Sequence, residues 1–261
     1  MFAGVRFLLL FTSMATNPFK STKCVFSSER RLFDFTNSTS SVNDWIEISD
    51  TERDVGKSKG AFLQQKTQQF QRAIFFTLLN PQPNGAGFAG VAYRQQSFDL
   101  STFTGIKLSV RAQGENYWYK VILRHHNEES SLLPSYEIFF ELPKNEMTDQ
   151  YLSFTDFRPY SRGKPLDPNT TPPLDRTDIT SIGLQIFGGV YSTTKQQGAS
   201  SLEIDYISAV QYLITEYHIV KTKRNTNLIK CKHNVHTLLI VIYSKNLLRF
   251  CRRKYSQTVI D

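Results

Sequence analysis

The sequence predicts an all-β protein, a jelly-roll-like β-sandwich of two packed antiparallel sheets, and three observations carry that reading. Between Leu32 and Val210, short β-branched and aromatic runs recur between turn residues, with no long apolar stripe of helical period among them. Ile106 Lys107 Leu108 Ser109 Val110 Arg111 and Leu202 Glu203 Ile204 Asp205 Tyr206 alternate strictly, the period-two pattern of a strand with one wet face. The 261 residues are 40% hydrophobic, with 20 Phe and 12 Tyr, which is enough to fill one large core.

In chain order, residues 1–30 read as a targeting segment. They hold Arg6, Lys20 and Lys23, many Ser and Thr, and no acid before Glu29, the composition of a mitochondrial presequence. The apolar stretch 7–11 keeps a secretory signal as the alternative. Strands are expected at 32–35, 45–48, 61–70, 72–79, 88–93, 106–111, 117–125, 136–141, 150–154, 182–187 and 201–209. The longest gap, Phe157 to Asp178, carries Pro159, Pro165, Pro168, Pro172 and Pro173 and reads as a loop crossing one end of the sandwich. Loops of that length are commonly functional. The interaction domain is thus expected over 31–210. No repeat is visible, and no apolar run approaches the roughly 20 residues of a membrane-spanning helix.

The formal net charge of +8 resides in the remainder, residues 211–261, where ten Lys and Arg face two acids. Residues 1–210 carry 21 of each sign, so the body offers no electrostatic footprint for nucleic acid. The 211–261 tail is rich in Lys, Asn, Ile, Leu and Tyr and lacks Gly and Pro. It is expected to be poorly structured, either a disordered basic tail or translated non-coding sequence; a basic arm for anionic lipid or a partner is the functional alternative. Of Cys24, Cys231 and Cys251 only the first lies outside the tail, so no disulfide framework holds the body. Cys231, His233 and His236 are metal-ligand types without a fourth ligand at finger spacing, and no metal is expected.

The body holds one nucleotide-like motif. Gly85, Gly87 and Gly90 spell G-x-G-x-x-G, which in a dinucleotide fold follows a strand directly and opens a helix whose amides hold pyrophosphate. Here Pro81 and Pro83 separate it from the preceding run, and the β-forming Val91 Ala92 Tyr93 follows. The glycines are therefore expected to let a strand start close beside neighbouring backbone, and no cofactor is expected. His125 and His126 are adjacent and on a strand would face opposite ways, which denies them a shared site. Glu137, Glu141 and Glu203 read as the outer face of a sheet. Asp205 reads as a strand-end side chain bonded to backbone, with Glu203 and Ile207 on its face by an alternating count. Trp45, Tyr117, Trp118 and Tyr119 are either core or an aromatic platform for sugar. No catalytic constellation is present, and an enzyme is not expected.

Several segments, in order and spacing, resemble the complex I intermediate-associated protein of 30 kDa family over roughly residues 33–210. They are Phe33 with Trp45, Ser49 Asp50 and the run Val55 Gly56 Lys57 Ser58 Lys59 Gly60, followed by Gly85 to Gly90. Then come Phe98 Asp99 Leu100 Ser101 with Gly105, Phe154 Thr155 Asp156 Phe157 Arg158 Pro159 with Arg162 Gly163, Asp178 to Gly183, and Ser201 to Ile207. The resemblance implies a galactose-binding-like jelly roll and a non-catalytic, chaperone-like role on the matrix side of the mitochondrion. Its implied partners are protein assembly intermediates of NADH:ubiquinone oxidoreductase (complex I) and other assembly factors. From the residues themselves, no cofactor, no nucleic acid and no transmembrane segment are expected, with at most peripheral membrane association. The chain departs from the pattern at Asp54 Val55 Gly56, where many members have paired glycines, and at Ala112 Gln113 Gly114, where they have Gly-Asp-Gly. Tyr160 and Leu166, apolar residues of the long loop, are the expected partner contacts. The alternative is a carbohydrate-binding β-sandwich module of a secreted protein, to which the glycosylation triplets at Asn37 and Asn169 would belong.

Overall fold

The computed structural model describes residues 28–212 apart from 53, 54, 84, 86, 128–132 and 190, and outside that span the backbone of 6–8, 20–27, 213–221, 227–232 and 237–242. Its strands are β1 (Arg6–Leu8), β2 (Lys20–Asp34), β3 (Trp45–Glu47), β4 (Lys59–Lys66), β5 (Gln71–Leu79), β6 (Phe88–Tyr93), β7 (Gly105–Gly114) and β8 (Trp118–His125). They continue as β9 (Ser135–Glu141), β10 (Thr148–Ser153), β11 (Arg158–Ser161), β12 (Lys164–Pro165), β13 (Ile179–Phe187), β14 (Gly198–Lys221), β15 (Asn227–Lys232) and β16 (Thr237–Ile242). The described helices are single 3-10 turns at Asp50–Glu52 and Phe154–Asp156. Among the described residues, no helix is long and apolar enough to cross a membrane.

The chain divides into two compact units, Met1–Ser28 with Tyr212–Asp261, and Glu29–Gln211. In the first, β1 pairs antiparallel with β2, and β15 pairs antiparallel with β14 and β16. Most of the targeting segment and of the basic tail, with all their side chains before Ser28 and after Tyr212, lie outside the described residues. The Cys231, His233 and His236 reading lies there too.

The second unit is a β-sandwich. One sheet runs β4-β5-β14-β7-β10, with β2 also joined to β14; the other runs β12-β11-β9-β8-β13-β6-β3, and every pairing given between these strands is antiparallel. The alternation read from sequence sets the faces. Ile106, Leu108 and Val110 of β7 and Leu202, Ile204 and Ile207 of β14 belong to the same buried cluster as Tyr119, Val121 and Leu123 of β8 and Ile182, Leu184 and Ile186 of β13. Burying such side chains stabilises by roughly 1.5–3 kcal/mol each, so this cluster dominates the fold's stability.

Two registers differ from simple alternation. The expected strands 61–70 and 72–79 form a hairpin whose turn comes earlier, at Thr67: its amide and hydroxyl donate to the Phe70 carbonyl at 2.8 and 3.0 Å. In β14 the pairing with β7 shifts between Ile204 and Tyr206, a β-bulge at Asp205. The extra residue re-phases the strand, so Ile207 and Ala209 turn into the core behind Leu202 and Ile204. Ile207 therefore does not share a face with Glu203.

The glycine triplet opens a strand, and no helix follows it. A Cβ on Gly87 would stand 2.8 Å from Gly189 Cα, and one on Gly90 would stand 2.9 Å from the Leu184 carbonyl oxygen. Asp50 anchors this entry from the neighbouring turn. Its fully buried carboxylate accepts from the Ser58 amide and hydroxyl, both at 2.8 Å, and from the Phe88 amide at 3.2 Å.

Candidate functional site

Alternation along β8, β9 and β13 turns a second set of side chains away from the core, onto the outer face of the seven-stranded sheet. Register places Gln185, Lys120 and Phe139 in one cross-strand row and Gly183, Ile122, Glu137 and Arg158 in the next. Despite facing outward, Lys120, Glu137 and Gln185 are 7%, 4% and 5% exposed. Lys120 Nζ donates to Glu137 Oε2 at 2.6 Å, and the Ser135 hydroxyl donates to Glu137 Oε1 at 3.0 Å. The pair is covered by rings: Phe139 lies 5.5 Å from Tyr160 and 4.9 Å from Phe187, both nearly edge to face, and Lys120 Nζ is 5.6 Å from the Phe139 ring. Burial, with the charge of Glu137, raises the Tyr160 pKa.

A pocket lies at one end of the sandwich, under the proline-rich segment. It measures about 440 Å³ and is lined by Tyr136, Phe154, Phe157, Pro159, Pro172 and Leu174, with Arg158 and Arg176 and several hydroxyl side chains completing the wall. The Tyr136 hydroxyl donates to the Pro172 carbonyl at 2.5 Å and so ties the loop to β9. The long segment also contains structure that its prolines concealed: β11 and β12 form a hairpin at the sheet edge, with Tyr160 opposite Pro165 and Ser161 opposite Lys164. Pro165 lies on the edge strand β12, which needs no further donor, while Pro159 in β11 pairs with Tyr136 on one side and accepts from the Leu166 amide on the other.

The expected contacts, Tyr160 and Leu166, both belong to this arm, and both are half-buried. Tyr160 pairs with Ser135 in β9 and leans on Phe139; the Leu166 amide donates to the Pro159 carbonyl at 2.9 Å. Neither lines the end pocket. The aromatic platform is not assembled as a surface. Trp45 and Tyr119 are core residues, and Tyr117 packs against the core, which leaves the half-buried Trp118 on the outer face.

The two histidines do share a site, contrary to their expected divergence. β8 ends at His125, and His126 adopts φ 54°, which swings its ring back to 4.6 Å from that of His125. Both meet Asp175: its amide donates to His125 Nδ1 at 2.9 Å, and its carboxylate lies 3.0 Å from His126 Nε2. The Thr177 hydroxyl and amide, then His126, hold the Asp175 pKa below its ordinary value. No cluster of three or more His, Cys, Asp or Glu placed to hold a metal occurs among the described residues.

On the opposite sheet Glu203 is gripped by Arg72 and by two nitrogens of Arg111, so this outward carboxylate is 6% exposed. Asp205 is not bonded to backbone as expected; its Oδ1 lies 3.3 Å from Arg72 Nε. Burial raises the Asp205 pKa against the opposing charge of Arg72, with Glu203 adding to the rise.

Comparison with known proteins adds three findings. The family model described as Complex I intermediate-associated protein 30 (CIA30) matches residues 33–204. No curated protein sequence matches the chain significantly. Among solved structures, the family 11 carbohydrate-binding module from Clostridium thermocellum in complex with a beta-1,3-1,4-mixed-linked tetrasaccharide is similar at 16% identity and TM-score 0.49, covering 70% of this chain and 95% of that one. The family 11 module of a cellulosomal cellulase of the same organism is similar at 14% identity and TM-score 0.49, covering 69% and 94%.

Proposed function

The chain belongs to the Complex I intermediate-associated protein 30 family, and from this premise we propose that it is a non-catalytic assembly factor that binds protein intermediates of mitochondrial complex I. The single observation that carries the proposal is the family match, which spans the sandwich from Phe33 at the end of β2 to Ile204 in β14. The features described above support a binding rather than a chemical role. Buried charges of the body such as Lys120, Glu137 and Asp50 are engaged in structural pairs, and its glycines shape strand entry instead of cradling phosphate. On this reading the protein works on the matrix side, and the β11–β12 arm bearing Tyr160 and Leu166 contributes to the partner surface.

Affinity purification of the tagged full chain from mitochondria, followed by mass spectrometry, tests the proposal. Complex I subunits together with other assembly factors are the expected recovery. Strong enrichment of unrelated proteins, with complex I subunits absent, would overturn it.

One observation favours a second reading, a carbohydrate-binding module of a secreted protein. The side-chain amide of Gln185, 5% exposed, makes no hydrogen bond among the described residues, and it shares the outer face with the Lys120–Glu137 pair and the Phe139 and Tyr160 rings. Amide, charge and ring together are the usual means of gripping a sugar. A secreted product glycosylated at Asn37 or Asn169 would favour this reading; a cleaved, mitochondrial product favours the first.

A further inference from the structure

We infer that the pocket at the end of the sandwich receives an acidic residue flanked by an aromatic or aliphatic one from a partner polypeptide; the inference deepens the assembly-factor reading and rests on it for the partner's identity. A pocket of about 440 Å³ has room for two or three side chains. Its walls are set before anything binds. Tyr136 pins Pro172, Leu166 pins the backbone at Pro159, and the prolines have little conformational freedom left to lose.

The charge of the lining is one-sided. Arg158 and Arg176 both line the pocket, and no carboxylate does. Arg176 Nη1 donates to the Phe103 carbonyl at 2.7 Å, and its guanidinium lies 5.5 Å from the Phe154 ring. Arg158 Nη1 donates to the Thr155 and Phe157 carbonyls at 2.6 and 3.1 Å. Each guanidinium is thus oriented through one nitrogen and keeps its remaining N–H groups, and neither has an ion-pair partner among the described residues. A carboxylate is the group that such a fork accepts best. Phe154, Phe157 and Leu174 beside it supply the apolar half. An anionic lipid surface calls instead for a cluster of roughly four or more basic side chains. Two arginines at the wall of one pocket suit a single carboxylate on an apolar neighbour.

Fluorescence polarisation with the full chain tests this. The probe is a labelled hexapeptide with Asp-Phe-Asp at its centre, beside matched peptides carrying Asn-Phe-Asn and Asp-Ser-Asp. Saturable binding of the first, at least about tenfold tighter than either control and weakened by added salt, is expected. Arg158→Gln and Arg176→Gln should each weaken it about fivefold or more, with melting curves confirming that the variants fold. Thr171→Trp, which fills the pocket and leaves both arginines in place, should abolish it. Equal binding of the Asn-Phe-Asn peptide, no binding at millimolar peptide, or indifference to both arginine variants would overturn the inference. So would binding confined to vesicles containing phosphatidylglycerol and lost in the same variants, which would assign the arginines to a lipid surface. The two levels separate cleanly. Peptide selectivity without capture of complex I subunits removes the assembly reading and leaves the pocket's chemistry standing. Unchanged capture by variants that have lost peptide selectivity overturns the pocket as the partner site.

Discussion

Lys120 and Glu137 face away from the core yet have side chains only 9% and 5% exposed, 2.6 Å apart. Removing one member of such a pair leaves a buried charge unpaired, whereas replacing both with apolar groups is often neutral. Lys120→Met or Glu137→Leu alone should therefore cost about 3–5 kcal/mol, and the double variant should recover most of that loss. Urea denaturation at pH 7 measures all four corners of the cycle; additive losses in the double variant would show that the pair is not coupled. Asp50 makes the same argument at the glycine-rich entry. Asp50→Asn keeps the shape but weakens three hydrogen bonds to Ser58 and Phe88, an expected loss of about 2–3 kcal/mol, with faster amide exchange at Phe88 as its local signature. Alternation in sequence identifies Glu137 as outward-facing, but its burial beside Lys120 and Gln185 was not legible there. It comes from rings that arrive from distant strands, Tyr160 on β11 and Phe187 on β13, and no local pattern encodes such meetings.

Among the elements, the strands with the clearest period were the easiest to read. β7 keeps strict alternation because one of its faces is core along the whole run, and β6 is marked by the glycines at its entry. Where the chain departs from regular geometry the pattern misleads. The bulge at Asp205 inserts one residue, and everything after it changes face; β11 and β12 hide among prolines, of which Pro165 sits on the edge strand that tolerates it. The end of β2 offers a test at this scale. Glu29 accepts from Lys107 Nζ at 2.9 Å and from Arg31 Nη1 at 2.7 Å, which ties β2 to β7. Burial alone would raise the Glu29 pKa, but the bonds from Lys107 and Ser208 and the charge of Arg31 outweigh it and hold the group below its ordinary 4.5. A depressed carboxyl contributes stability that is present above the unfolded pKa and lost as pH falls through the folded one. The stability gap between the native chain and Glu29→Gln should therefore be widest at pH 6–7 and should narrow as pH drops below about 4.5. Denaturation midpoints at pH 7, 5 and 3 check this, and a gap that widens on acidification would reverse the assignment.

For the molecule as a whole, the question is which part meets the partner. The sandwich unit Glu29–Gln211 contains the buried cluster, the Lys120–Glu137 face and the end pocket, and it is also electrically distinct from the rest of the chain. Read from the sequence, 29–211 holds 18 Lys and Arg against 21 acids, a net −3, while the full chain is +8. The basic excess thus lies wholly outside the unit that carries the family match. If that unit is a domain in the thermodynamic sense, a 29–211 fragment should unfold cooperatively with a midpoint within a few degrees of the full chain's sandwich transition. It should also pass through a cation exchanger at pH 7 that retains the full chain. The same fragment separates two modes of binding. Contact through the end pocket and the Tyr160 arm predicts that 29–211 captures the same partners as the full chain, with only moderate sensitivity to salt. Contact through the basic tail predicts that capture disappears with residues 212–261 and, in the full chain, falls steeply as ionic strength rises, because exposed charges are screened within about 8 Å at physiological salt. Parallel pull-downs at low and physiological salt distinguish the two, and we expect the fragment to retain its partners.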